Sequence, residues 1–328
     1  MKLTRVMATL AAAFVLVAGF AVSAQAAKYP ERPITIIVPW APGGGADIVA
    51  RAISKPLEKE LGTTIVVVNK PGGSGTIGTS ATAHARPDGY TIGLINNGGV
   101  IHQYYYGGLD YKPEDLDMLC MILQVPIMLA VPANSPIKTI ADYVKVAKEK
   151  DGKLMMGTSS MGGGTHIPME QFFKLAGIKV QVLPQPGGGV KVVAALAGEH
   201  LESAVAHPSE LYGQAKAGTV RALAVADEKR LEAWPDVPTF KETGYDVVDS
   251  VWRAFMLPKG VSPEIKATLV AAIEKAHKDP TFRETIERMG DMPTFMGTEE
   301  FTAFYKKDDA KVKAIIESLG LINMNVKK

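Results

Sequence analysis

Pro39-Trp40-Ala41-Pro42-Gly43-Gly44-Gly45-Ala46-Asp47-Ile48-Val49-Ala50-Arg51 is the stretch on which the fold turns. Ile34-Thr35-Ile36-Ile37-Val38 precedes it as a short β-branched run, the pattern of a buried strand. Ile48, Ala52, Ile53, Leu57 and Leu61 follow at helical spacing, and Asp47 is a suitable N-cap. The three glycines therefore fall where a strand ends and a helix begins. Glycines there let backbone N–H groups converge on one point, with the positive end of the helix dipole behind them. Such a loop cradles an anion, although many α/β proteins use glycines in this place simply to turn.

The design recurs. Lys153-Leu154-Met155-Met156 reads as a strand that ends in Gly157-Thr158-Ser159-Ser160-Met161-Gly162-Gly163-Gly164-Thr165-His166, followed by a helix through Ile167, Phe172 and Leu175. Val180-Gln181-Val182-Leu183 leads through Gln185-Pro186-Gly187-Gly188-Gly189 into a helix carrying Val192, Val193 and Leu196. Two further glycine loops, around Gly73 and around Asn97, follow the strands Thr64–Val68 and Tyr90–Ile95. Strands alternating with helices predict parallel sheets covered on both faces, with ligands at the carboxyl ends of the strands. Ser135-Pro136 opens a helix through Tyr143 and Val146. Strands are expected at Leu201–Ala204, Arg221–Ala226 and Val247–Leu257, and helices at Pro263–His277, Asp279–Met289 and Thr298–Leu319.

Two passages of the chain, near residues 125 and 250, divide it into 27–126 with 251–328 as one lobe and 127–250 as the other. The expected fold class is α/β: two α/β lobes joined by two crossing strands, with a ligand cleft between them. Residues 1–26 stand apart. Lys2 and Arg5, the apolar run Met7–Val22 and Ala24-Gln25-Ala26 have the form of a cleaved secretory signal, and no cysteine lies near the cut to accept a lipid. Of 36 basic and 34 acidic residues, Lys2 and Arg5 lie in this leader, so the remainder balances to zero. That excludes a basic field for nucleic acid or a membrane surface. Cys120, the single cysteine, lies among apolar neighbours and reads as an inert buried thiol.

Enzyme motifs come near and fail. Gly73-Ser74-Gly75-Thr76-Ile77-Gly78 has the spacing of a dinucleotide fingerprint, but Asn69-Lys70-Pro71-Gly72 separates it from its strand and no acid follows about 20 residues on. No phosphate-binding G-x-x-x-x-G-K-[ST] occurs, and Gly157-Thr158-Ser159-Ser160-Met161 lacks the last glycine of a nucleophile elbow. The six histidines show no metal-ligand spacing, so neither a metal nor another cofactor is expected. What remains is several Gly/Ser/Thr loops facing one cleft, rich in neutral donors and poor in charge. They suit one or two carboxylates held by backbone N–H groups, hydroxyls and water. Ser159, Ser160 and Thr165 are the first side-chain donors, and Trp40 is a candidate pocket wall.

Over nearly the whole mature length the chain resembles the substrate-binding proteins of tripartite tricarboxylate transporters, the Bug receptors. The resemblance is carried by Pro42-Gly43-Gly44 through Asp47 and Ala50-Arg51, Asn69-Lys70-Pro71-Gly72, Arg86-Pro87-Asp88-Gly89-Tyr90, Ala217-Gly218 with Arg221–Val225, Asp236-Val237-Pro238-Thr239, and Trp252-Arg253 with Pro258-Lys259-Gly260. It implies a type II periplasmic-binding-protein fold, no catalysis, a small organic acid (a di- or tricarboxylate or a relative) as ligand, membrane permease subunits as partners, a periplasmic location and a monomer. The ligand residues it implies are Trp40, Ala41, Gly44, Gly45, Ala46, Asp47, Gly73, Asn97, Ser159, Ser160, Thr165 and Gln185. Asp47 enters as a cap that orients backbone donors, because a carboxylate repels a carboxylate. The chain departs from the family at Pro56, expected to kink its helix, at Gln185-Pro186-Gly187, and at Ala206-His207-Pro208-Ser209, which replaces a commonly acidic segment. Two rival readings are a secreted hydrolase using Ser159 or Ser160 with His166, and a binding protein that feeds a sensor kinase.

Overall fold

The computed structural model describes residues 29–185, 187–289 and 291–324; the proposed leader, 1–26, and Pro186 lie outside the described residues. Strand β1 (Ile34–Val38) is buried at every residue but Thr35, as its β-branched run requires for a strand inside a sheet. It pairs in parallel with β2 (Ile65–Asn69) and β3 (Thr91–Asn96). The long apolar run beyond them divides into β4 (Leu116–Pro126) and β5 (Met128–Pro132). Strands β6 (Met155–Thr158), β7 (Gln181–Pro184), β8 (Ser203–Ala206) and β9 (Val220–Val225) join β5 in a five-stranded sheet of order β7-β6-β8-β5-β9. The chain then returns to the first sheet as β10 (Ser250–Pro258) and β11 (Met292–Met296), giving a six-stranded order β11-β4-β10-β3-β1-β2. It thus leaves the six-stranded sheet after Pro126 and re-enters it at Ser250.

The sheets are mixed, not parallel as the alternation suggests. Strand β10 runs antiparallel to both β3 and β4, β11 runs antiparallel to β4, and β5 runs antiparallel to β8 and β9. For β5 and β10 the reason is the double passage: a strand that arrives from the other sheet enters from the opposite end, with no helix to turn it round first. Sequence alternation also gives no sign of β11.

Burial along β5 and the residue before it separates by parity. Ile127, Leu129 and Val131 pack into one core, while Met128 and Ala130 pack into another on the opposite face. The first core is closed by α4 (Ile140–Lys150) and α5 (Ile167–Ala176), with Phe172 in aromatic contact with Tyr143, Phe173, Phe240 and Tyr245. Burying a ring such as Phe172 contributes roughly 1.5–3 kcal/mol. The second is closed by α6 (Gly189–Ala197) and α7 (Pro208–Lys216). On the six-stranded side lie α1 (Gly45–Leu61), α2 (Thr76–Ala83), the single turn α3 (Gln103–Tyr106), α8 (Pro263–His277), α9 (Pro280–Arg288) and α10 (Thr298–Ser318). There Trp252 packs edge-on against Phe301 and donates from Nε1 to Asp308 Oδ2 at 2.7 Å.

Three local expectations change. The N-cap of α1 is Gly44, and Asp47 sits in the first turn instead. Helix α4 starts at Ile140, because Thr139 with Asp142 forms a capping box there, whereas the Ser135 hydroxyl is spent on Ile137 N–H. Helix α1 runs unbroken through Pro56. The lost hydrogen bond is tolerated because Val49, Ile53 and Leu57 on the same helix are wholly buried.

Candidate ligand-binding site

Loops from both sheets meet around one cavity of about 550 Å³, its mouth included. Trp40, Ala41, Gly44, Gly45 and Ala46 line it from the β1–α1 loop, Asn96 and Gly98 from the end of β3, and Ser159, Ser160, Gly164 and Thr165 from the β6–α5 loop. Gly187, Gly188 and Gly189 follow β7, His207 and Glu210 follow β8, and Val251 and Arg253 come from β10. These are the carboxyl ends of β1, β3, β6, β7 and β8. Strand β10 joins them by its amino end because it is antiparallel: Arg253 pairs directly with Asn96.

Two helices begin at the cavity wall. Gly45 and Ala46 are the first residues of α1, and Gly189 is the first of α6. The N–H groups of a helix's first turn have no partner inside the helix and point outward with the positive end of the dipole. The loop holding α1 in place is organised by Asp47, which faces away from the cavity. Its carboxylate accepts from Gly43 N–H at 2.9 Å, from Arg51 Nε at 3.0 Å and from Asn69 Nδ2 at 3.0 Å. Asn69 Nδ2 also donates to the Trp40 carbonyl at 3.0 Å. Burial pulls the Asp47 carboxyl upward, but the bonds from Arg51, Gly43 and Asn69 outweigh it and hold it below the usual carboxylate range.

On the opposite wall the hydroxyls form a knot. Thr165 Oγ1 lies 2.8 Å from Thr158 Oγ1, 3.0 Å from Ser159 Oγ and 3.4 Å from Ser160 Oγ. His166 takes no part. Its Nδ1 accepts the Gly162 N–H at 3.0 Å, which leaves the proton on Nε2, 3.2 Å from Glu170. With its base committed elsewhere, the serine-hydrolase arrangement is not formed.

The cavity is also more charged than its loops suggest. Strand β10 alternates, so Val251 and Arg253 face the cavity while Trp252 points into the core. Arg253 is 4% exposed, and its Nη1 lies 3.5 Å from Asp291 Oδ2. Its Nη2 lies 3.0 Å from the point where a Cβ on Gly45 would stand, so the guanidinium rests on the start of α1. Among the described residues Arg253 Nη1 has no hydrogen-bond acceptor. Burial raises the Asp291 carboxyl, against the pull of Arg253. Burial, helped by the Arg253 charge, pushes the His207 imidazole down to about 4, so His207 is neutral and donates from Nδ1 to the Pro126 carbonyl at 3.2 Å. Glu210 Oε2 accepts the His207 N–H at 3.0 Å.

Of the residues named from sequence, Trp40, Ala41, Gly44, Gly45, Ala46, Ser159, Ser160 and Thr165 lie on the cavity wall. Gly73 and Gln185 line a neighbouring depression that shares Trp40, Ala41, Ser159, Gly187 and Gly188 with it. Asp47 and Asn97 do not reach the cavity. Asn97 is wholly buried behind it and donates from Nδ2 to the Ser250 carbonyl at 2.9 Å, so its neighbour Asn96 faces the space instead. Sequence reasoning noted the His207 segment only as a departure from the family and missed Arg253 and Glu210 as site residues. The available signal was a lone arginine in the apolar strand Val251-Trp252-Arg253-Ala254-Phe255. Among the described residues no cluster of three or more His, Cys, Asp or Glu could hold a metal, and no helix is long and apolar enough to cross a membrane.

The family model described as tripartite tricarboxylate transporter family receptor (TctC) matches residues 49–321. The chain belongs to this receptor family. The receptor is 33% identical to the UPF0065 protein in gbd 5'region of Cupriavidus necator over 305 residues, 93% of this chain and 92% of the other. It is 30% identical to Protein BugT of Bordetella pertussis over 324 residues, 98% of this chain and 99% of that one. Among solved structures it is similar to the periplasmic binding protein BugD, with a TM-score of 0.84 and 28% identity over 90% of this chain and 99% of BugD. Family and neighbours are binding receptors rather than enzymes, and the architecture is the two-lobed α/β fold of periplasmic binding proteins.

Proposed function

We propose that the mature chain is a periplasmic receptor for a small organic acid, exported after removal of residues 1–26, and that as a monomer it delivers its ligand to a tripartite tricarboxylate permease. One observation carries the reading: a buried guanidinium, Arg253, rests on the N-terminus of α1 inside a cavity lined on the other side by Ser159, Ser160 and Thr165. A carboxylate between these walls receives charge-assisted bonds from Arg253, backbone donors from Gly45 and Ala46, and hydroxyl donors. The knot around Thr165 and the bonds around Asp47 fix those donors beforehand, which lowers the ordering cost of binding.

A thermal-shift screen of carboxylic acids beside their fully amidated analogues and neutral sugars tests this. A bound acid at about 100 times its dissociation constant adds roughly 2.7 kcal/mol to stability. A sugar or a fully amidated analogue that stabilises as strongly as the matching acid overturns the reading.

A further inference from the structure

Among the described residues that line the cavity, Glu210 is the single acid. Its place is fixed from two sides. Glu210 stands in the first turn of α7, where Oε2 accepts the His207 N–H at 3.0 Å. Its carboxylate also lies against Gly189, the first residue of α6, so closely that a Cβ on Gly189 would overlap it. The N-terminus of α6 is one of the two helix starts that would otherwise serve a ligand anion. Here the protein's own carboxylate stands at that helix start, whereas α1 has the cation Arg253 beside it.

We propose that Glu210 is a specificity-determining residue: it fills the α6 end of the cavity with a built-in anion, so that the receptor selects an acid whose far end is a hydrogen-bond donor, amide, hydroxyl or ammonium, over a dicarboxylate. The inference rests on the carboxylate-receptor reading above. A ligand carboxylate belongs at the α1 end, where Arg253, Gly45 and Ala46 donate. A second carboxylate reaching α6 meets the Glu210 carboxylate held against Gly189, so acceptor faces acceptor and like charges meet. A donor group finds a partner there. Burial raises the Glu210 carboxyl, and the His207 N–H and the Arg253 charge pull it back without outweighing burial.

The test is isothermal titration of the exported protein at pH 7.5 with chain-matched sets. Each set of four to six carbons contains the diacid, its monoamide, the ω-hydroxy acid, the ω-amino acid and the plain monoacid, such as succinate, succinamate, 4-hydroxybutyrate, 4-aminobutyrate and butyrate. Within the set that binds best, a donor-ended acid binds at least tenfold more tightly than the diacid, and the strongest arm tells amide from hydroxyl from ammonium. E210Q keeps the shape and an oxygen for the His207 N–H, and narrows or reverses that ratio by at least tenfold. A wild-type protein that prefers the diacid, or an E210Q ratio equal to wild type, overturns the role of Glu210 and leaves the receptor reading standing. If no carboxylate of any set binds either protein, the receptor reading falls and this inference with it. The wild-type ranking alone decides the matter should E210Q fail to fold.

Discussion

At Arg253 and Asp291 the site and the stability of the protein are the same problem. The two are 4% and 2% exposed and 3.5 Å apart. Removing one partner of a buried pair leaves an uncompensated charge, at a cost of about 3–5 kcal/mol, whereas removing both costs far less. R253Q is therefore expected to lose several kcal/mol of stability as well as ligand binding. R253Q/D291N recovers much of the stability and none of the binding. Denaturant titration and calorimetry on the three variants read the two effects apart, and purely additive stability losses would dismiss the coupling. His207 gives a second residue-scale prediction. Its folded pKa of about 4 lies below the ordinary 6.5, so between these values the unfolded chain binds the extra proton. Stability is then full above about pH 6.5 and falls as pH drops toward 4, by at most about 3 kcal/mol at 1.36 kcal/mol per unit. Arg253 and Asp291 act on the ring and Glu210 accepts the His207 backbone N–H, and burial raises both acids, which act in the opposite sense. They persist in H207Q, so the difference between wild type and H207Q from pH 7 to 5 isolates the imidazole. A variant with the same pH slope as wild type would refute the assignment.

At the scale of the element, the glycine run before α1 divides its labour. Gly43 carries the left-handed backbone, with φ of 78°, and has open space around it, whereas Gly45 lies in the helix and is the one pressed by Arg253. G43A is thus expected to cost about 1 kcal/mol of stability and leave affinity unchanged. G45A weakens binding several-fold, because its Cβ would stand 3.0 Å from Arg253 Nη2 and shift the pinned guanidinium, and it costs less stability than R253Q because the ion pair is shifted, not removed. Thermal unfolding and titration of both variants check the dissociation, and the reverse pattern would show the roles misassigned. The strand–glycine–helix units were legible because β-branched runs, glycine clusters and 3.6-residue periodicity are all local. The start of α4 was misplaced by four residues because two capping candidates, Ser135 and Thr139, compete there, and only the Thr139–Asp142 box closes. Asp47 was legible as an organiser of the loop but not as a first-turn residue bonded to Arg51 and Asn69.

At the scale of the whole molecule, the rims on either side of the cavity already touch. Gln103 Nε2 donates to the Met161 carbonyl at 2.6 Å, and Ser74 Oγ to the same oxygen at 3.4 Å. Only the crossings after Pro126 and before Ser250 join the two sheets covalently, which suits hinge closure around a ligand. A bound acid is expected to reduce the radius of gyration in small-angle scattering. Q103A, by loosening the rim, speeds ligand dissociation more than it slows association. Unchanged scattering on saturation would argue for a cavity that fills without closing.

What the sequence by itself determined was the inventory: an α/β chain, glycine loops at strand ends, two passages between units, and a family whose motifs are spread along the whole mature length. Each of those rests on neighbours in the chain. What only the tertiary structure decided was the charge inside the cavity and the direction of the strands that carry it. Arg253 reaches Asn96 across an antiparallel pairing more than 150 residues apart in sequence, and Glu210 reaches Gly189 only because α6 and α7 pack side by side. No periodicity encodes such a meeting. It follows from the returning strand β10 inserting between β4 and β3, a pairing of segments far apart in the chain.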